Sequence, residues 1–436
     1  MFFLSQIKAF FFFKDLRTKL LYTVLLLIVV RVLAHIPLPG VDVEALRKFF
    51  ADNQIFGLLN IFSGGTMQNF SIILMGVAPY ITASIVMQLL TMVIPSLEAL
   101  SKEGEYGYQK INQYTRYLTV PLAIIQSYGM ILFLTRGVGG QQPVLTSGEL
   151  VGANLLIALI TVTAGTMLLM WIGEVISEEG IGNGISLIIT LGIIAGIPQI
   201  IRNTAALIFT GGVVDWGKAV SLIVFIIIAI LIVGFIILVN EGQRKIPVSY
   251  ARRIRGSRVS GGVDTHIPLR VNQGGVIPII FALSIVLFPS TLARFLEGAK
   301  SAWLSQFAQK MSTFFSNDWV YGSLYFILVI LFTYFYTAII FNPEKVSDNL
   351  QKQGGFIPGI RPGTETKNYL SKVLNRINLP GGLFLAFIAV LPFIIQAITK
   401  IPTLVIGGTG ILIVVSVVLD TTRQIKSQLL MRSYRY

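Results

Sequence analysis

Apolar positions along the 436-residue chain gather into long blocks separated by short polar stretches. A helix that crosses a bilayer needs about 20 mostly apolar residues. Blocks of that kind lie near 20–36, 73–94, 117–135, 151–172, 185–201, 217–240, 275–293, 320–341, 381–399 and 404–420. They predict an all-α polytopic membrane protein with ten transmembrane helices, and an even count leaves both termini on the same side. The stretch 55–72 (IFGLLNIFSGGTMQNFSI) is apolar as well, but it is short and interrupted by Gly64-Gly65. It reads as a short re-entrant helix, which a membrane tolerates only where protein or a water cavity shields its backbone.

Five blocks per half is an odd number, so an N-terminal half (20–204) and a C-terminal half (205–420) are expected to be inverted relative to each other, as in many membrane carriers. Outside them lie an amphipathic segment (1–19) and a tail (421–436). One short match supports the repeat: Gly76-Val77-Ala78-Pro79 in the second block and Gly275-Val276-Ile277-Pro278 in the seventh. Such a match also arises by chance in apolar sequence. As symmetry mates, the two helices would face the working interface, with Gly and Pro permitting local bending.

Charge sets the orientation. The chain holds 34 Lys and Arg against 20 Asp and Glu, a net +14. With the N-terminus inside, the inner segments carry 24 of the basic residues and the outer ones 9, Arg31 lying within the first block. The excess of Lys and Arg on the inner side predicts both ends in the cytoplasm. The opening MFFLSQIKAFFFFKDLRTKL puts its apolar stretch before its basic cluster and shows no small-residue cleavage site, so it is expected to stay as an amphipathic helix on the cytoplasmic face. The inner loops 241–272 and 343–380 carry seven and six basic residues, whereas 173–184 carries none. A basic surface of that kind attracts an acidic partner or the phosphates of RNA.

Composition removes other classes. Hydrophobic residues make up 54% and charged residues 12%, about half the charge of a soluble domain. With no Cys and only two His, a thiol nucleophile, a disulfide scaffold or a multi-histidine metal site is not expected. The blocks hold no Asp, Glu or Lys at membrane depth. A carrier driven by protons or ions needs such groups, so the secondary-transporter reading lacks its coupling site. No Walker loop is present. A membrane-embedded enzyme would need clustered polar catalysts, and no base accompanies the Ser and Thr of the blocks.

Several stretches together are specific: FSGGTMQNFSI, GVAPYITASIVMQLL, KINQYTRY, SEEGIGNGIS, EGQRKIPVSYARR, THIPLRVNQGGVIPIIFA and FNPEKVSDNLQKQGGFIPGIRPG. From about Phe10 to Gln424 the chain resembles the SecY family of protein-conducting channels. The resemblance implies an hourglass pore closed by an aliphatic ring, at Val77, Ile81, Ile185, Ile189, Ile280 and Ile413. It implies a plug within 56–69, including Phe56, Asn60, Ser63, Gly64 and Gly65. A lateral gate is implied between the second and seventh spans, with Gln88 and Asn272 as its polar positions and the third and eighth spans beside them. As single residues, Gln88 also reads as glue between helices and Asn272 as a helix cap. Arg361 corresponds to an arginine that engages the motor ATPase SecA. Arg252, Arg253, Arg255 and Arg258 correspond to a loop tip that meets SecA or the ribosome, although the same charges also read as a solvated face. The implied partners are SecE, SecG, SecA, the ribosome, signal sequences, unfolded preproteins and membrane lipids. No cofactor and no metal is implied.

Overall fold

In a bilayer an apolar block becomes a helix because every backbone N–H and C=O must find its partner within the segment. In the computed structural model, which describes residues 14–38, 66–67, 69–136, 152–210, 213–214, 216–250, 253–255, 258–260, 265–297, 302–315, 317–399 and 407–433, each of the ten apolar blocks coincides with a helix. The N-terminal half comprises α1 (Lys14–Leu33), α2 (Ala78–Val93), α3 (Pro95–Ser101), α4 (Glu105–Arg136), α5 (Ala153–Glu179) and α6 (Gly184–Ile208). A small hairpin, β1 (Phe209–Thr210) with β2 (Val213–Val214), leads into α7 (Trp216–Glu241). Strands β3 (Gln243–Tyr250), β4 (Arg253–Arg255), β5 (Arg258–Ser260) and β6 (Thr265–Arg270) follow. The rest comprises α8 (Ile277–Glu297), α9 (Ala302–Phe315), α10 (Asp318–Ile340), α11 (Pro343–Lys352), β7 (Gly355–Phe356), α12 (Thr364–Thr399) and α13 (Gly407–Ser433).

Among the described residues, four stretches within α5, α7, α10–α11 and α12 are long and apolar enough to cross a membrane unaided, and α2 with α3 makes a fifth, bent by 104°. The bend has a local cause. Pro95 crowds the residue before it, and Ile94 takes an extended conformation (φ −98°, ψ 112°) that ends α2. Residues 14–19 are continuous with the first spanning helix, and residues 1–13 lie outside the described residues. Polar extensions carry α4, α12 and α13 well beyond their apolar blocks.

A single apolar cluster runs through both halves, with buried side chains from α1, α5, α6, α7, α8, α10, α12 and α13. The halves meet where α8 touches α2 and α4, and again where α6 packs on α13. A second cluster in the N-terminal half gathers Leu38, Met67, Phe70, Leu74 and Met75 against α4 and α5. It holds the turns that lead into α2. The two basic loops are not separate. β3 pairs with both β6 and β7, and a third apolar cluster (Ile246, Val248, Leu269, Leu350, Ile357, Leu370, Val373) packs the resulting sheet onto α11 and α12. One structured platform therefore stands on the ends of α7, α8, α10 and α12.

Candidate constriction, gate and docking surface

The Gly-Val-x-Pro match has a structural counterpart. Gly76 and Gly275 adopt left-handed φ values of 56° and 60°, a region that costs other L-residues roughly 1–2 kcal/mol. Each glycine turns the chain directly into a helix, with Pro79 and Pro278 in the first turn, where a missing N–H does no harm. The first helical bond is the same in both. Ile81 N–H donates to Val77 C=O at 3.0 Å, and Ile280 N–H donates to Val276 C=O at 3.3 Å. Val77 and Ile81 therefore stand at the start of α2 as Val276 and Ile280 stand at the start of α8, each valine directly preceding its helix.

All six aliphatic positions expected at the ring fall in the central cluster. Val77, Ile189 and Ile413 are almost fully buried, at 2%, 4% and 1% exposure, and Ile81, Ile185 and Ile280 pack against the cluster as partly buried neighbours. They come from α2, α6, α8 and α13, two helices from each half. Sequence reasoning missed Val276, which is buried in the same cluster. Its signal was available, because it occupies Val77's place in the repeated motif.

The two polar positions expected at the gate have different surroundings. Gln88 in α2 donates from Nε2 to Ser84 Oγ at 3.4 Å, and its buried Oε1 has no partner among the described residues. Asn272, just before α8, is buried and donates to Asn240 Oδ1 at 2.8 Å and to the Gly275 carbonyl at 3.2 Å. No hydrogen bond joins Gln88 to Asn272 among the described residues. Beside them α8 is held to α10 by edge-to-face contacts of Phe281 with Phe332 and Tyr336. Near the far end of α2, Lys102 lies 2.6 Å from Glu98.

Arg361 is exposed in the loop between β7 and α12, yet its backbone is firmly held. The Thr366 hydroxyl donates to the Arg361 carbonyl at 2.9 Å, the Ser347 hydroxyl donates to the Gly363 carbonyl at 2.7 Å, and Ile357 behind the turn is buried at 3% exposure. Its guanidinium has no ion pair among the described residues. At the tip of the other basic loop, β4 and β5 form a hairpin whose register sets Arg255 opposite Arg258 and Arg253 opposite Ser260. Arg252 and the five residues expected in the plug, Phe56, Asn60, Ser63, Gly64 and Gly65, lie outside the described residues.

The SEEGIGNGIS stretch turns out to be a packing device. A Cβ on Gly184 would sit 1.9 Å from the Gly173 carbonyl oxygen, so only glycine lets α5 and α6 approach this closely. Ser177 Oγ accepts from Gly184 N–H at 2.9 Å, Asn183 Oδ1 from Ser186 N–H at 3.0 Å, and Thr23 Oγ1 of α1 from Ile181 N–H at 3.2 Å. The turn thereby fixes three helices together and positions Ile185 and Ile189.

Residues 71–422 match the family model described as SecY. The chain belongs to the SecY family. It is 44% identical to the protein translocase subunit SecY of Streptomyces galbus, with 96% of each chain covered. It is 42% identical to that of Aquifex aeolicus, covering 99% of this chain and 98% of the relative. Its fold superposes on a solved protein-conducting channel with a TM-score of 0.61 at 18% identity, over 94% of this chain and 91% of that one. It also superposes on Sec61 from a canine ribosome–channel complex of the endoplasmic reticulum, with a TM-score of 0.58 at 18% identity over the same shares. At that identity the likeness is one of fold. The mostly helical architecture with its several apolar helices is consistent with ten spans and shares its fold with solved SecY and Sec61 channels, and the chain is a multi-pass membrane channel protein.

Proposed function

We propose that this chain is the central channel subunit of a protein translocase of the cell membrane, passing unfolded secretory polypeptides through a dry aliphatic constriction and releasing apolar segments sideways between α2 and α8. The observation that carries this reading is the grouping of Val77, Ile81, Ile185, Ile189, Ile280 and Ile413, from four helices of both halves, in one buried apolar cluster. A narrow apolar constriction dewets and so refuses ions and water, while aliphatic side chains can part around a passing peptide. The plug at 56–69 would cover the constriction from outside. The platform of basic loops, with Arg361 and the β4–β5 hairpin, faces the cytoplasm and receives the SecA motor or a ribosome. SecE would clamp the two halves, with SecG beside them. Both termini lie inside, a placement supported by the excess of Lys and Arg in the inner segments. The chain acts as a conduit rather than an enzyme, and its partner supplies the driving force.

Magnitudes fit a gated conduit. A signal sequence with about ten Leu-like residues gains roughly 0.3–0.6 kcal/mol for each at membrane depth, or about 3–6 kcal/mol in all. Shifting a gate from 1:99 to 99:1 needs about 5.5 kcal/mol of differential binding. One client segment is therefore near the size needed to open the gate, and docking on the platform supplies the remainder. The test is reconstitution into vesicles with the companion subunits, a SecA motor, ATP and a secretory precursor. Precursor that becomes protected from external protease only with ATP and this chain supports the reading, and precursor left fully digestible refutes it.

A further inference from the structure

A chain of buried polar side chains, which includes the expected gate position Asn272, joins the start of α8 to two other helices. Asn240, in the last turn of α7, donates from Nδ2 to Ser416 Oγ of α13 at 2.9 Å. Its Oδ1 accepts from Asn272 Nδ2 at 2.8 Å, and Asn272 in turn donates to the carbonyl of Gly275, the left-handed residue that turns the chain into α8. All three side chains are more than nine-tenths buried: Asn240 is 7% exposed, Asn272 6% and Ser416 6%. Arg423 of α13 closes the group from below, donating to the Asn240 carbonyl at 3.1 Å.

Two further features mark this group as more than filling. It borders a cavity of about 340 Å³ between the ends of α7, α8, α10 and α13, whose lining includes Asn240, Asn272 and Ser416, and the buried Asn272 Oδ1 has no partner among the described residues. Space and a spare acceptor allow Asn272 to leave its place without losing all its hydrogen bonds to a dry interior. The β3–β6 ribbon also runs directly into the group. Its pairing from Val248–Thr265 to Gln243–Arg270 is continued by Val271 N–H donating to the Gly242 carbonyl at 2.9 Å, one residue short of Asn272 on one strand and two short of Asn240 on the other. The loop that carries the docking hairpin and the first turn of α8 therefore share one polar fastening.

We propose that Asn240 and Ser416 are positioning residues of a latch that holds Asn272, and with it the start of α8, in the closed arrangement. This rests on the channel reading given above. Docking on the loop twists the ribbon, withdraws Asn240 from Asn272 and frees α8 to swing from α2. Closing the latch is worth one well-placed buried hydrogen bond, so its loss should shift the ratio of closed to open channels about tenfold toward open.

The experiment compares export of two precursors, one with an intact signal sequence and one with a shortened apolar core, by vesicles holding the parent protein with its partner subunits and motor, or Asn240→Ala, Ser416→Ala or Ser416→Thr in its place. The latch predicts that Asn240→Ala and Ser416→Ala raise the ratio of defective to intact precursor exported about tenfold. Ser416→Thr, which keeps the hydroxyl, should return the ratio to the parent value. A merely structural role predicts equal losses for both precursors and an unchanged ratio, and that result overturns the proposal. Where an alanine variant does not accumulate, the Ser416→Thr and Ser416→Val pair decides on the same ratio. Failure of the parent to export the intact precursor would count against the channel reading itself, whereas a parent that exports normally beside variants with its own ratio would sink only the latch.

Discussion

Gly165, midway along α5, offers the sharpest test of how the entry to α2 is held. A Cβ built there would lie 2.1 Å from the Ile72 carbonyl oxygen and 3.1 Å from Ile73 Cγ2. Ordinary contact begins near 3.4 Å, so helix and turn must separate by about 1.3 Å. The turn cannot retreat freely. Ile72 N–H donates to the Ile36 carbonyl at 3.1 Å, Leu38 N–H donates to the Phe70 carbonyl at 2.8 Å, and Pro37 bridges Ser71. The strain falls on α5 and on the buried residues around it. Overpacking of this kind costs about 1–3 kcal/mol, and a clash with a fixed backbone carbonyl belongs at the upper end. For a chain of this length, about 3 kcal/mol lowers the thermal midpoint by roughly 3–6 °C. Gly129 in α4 is the control, because a Cβ there meets nothing within 4 Å and alanine gains helix propensity of about 0.5–1 kcal/mol. The assay is thermal unfolding of the purified protein in detergent. Gly165→Ala should melt several degrees below the parent and Gly129→Ala at or above it. A Gly165→Ala midpoint equal to the parent's would show that the turn before α2 is not fixed against α5.

Other substitutions read other contacts. Gly275→Ala meets open space but a φ of 60°, so it should lose about 1–2 kcal/mol from conformation alone, with Gly275→Asn losing less; thermal unfolding of both variants checks the order. Thr23→Val strands the buried Ile181 N–H, which Thr23 Oγ1 now accepts at 3.2 Å. It should cost about 1–3 kcal/mol and speed hydrogen exchange at that amide. Arg361→Glu should cut motor-driven export at least about tenfold, the size expected when a central arginine anchor of an interface is reversed, and unaltered export would remove Arg361 from the docking surface.

The helices were legible because a bilayer demands long apolar blocks, and each of the ten blocks carries one. Their ends were less so. The polar turns at the start of α4 and α12 are helical without being apolar, and hydropathy sees only the part of a helix that meets lipid. The amphipathic α9, with Trp303 at 73% exposure and Ala308 fully buried, is likewise too short and too polar to show as a block. The β3–β6–β7 platform was hidden for a different reason. It joins strands more than 80 residues apart, Tyr250 with Gly355 for example, and no local period announces a long-range pairing. The motif residues divide in the same way. Gly76 and Gly275 could be paired from the repeated Gly-Val-x-Pro alone, and Val276 could have been added by the same spacing. Gly184 was visible as part of a motif, but its reason, a helix backbone 1.9 Å from where a Cβ would stand, is a property of packing. Asn240 gave no signal at all, since a single Asn at the end of an apolar block is an ordinary helix terminus until its partners are seen.

In the proposed channel, six aliphatic side chains seal the resting pore. Ionic current through client-free bilayers that hold the parent, or a variant with Ile81, Ile189 and Ile280 all changed to Ser, tests it most directly. Wetting of the constriction should give the variant a steady ion leak several-fold above the parent. A variant as tight as the parent would mean that these side chains do not form the seal.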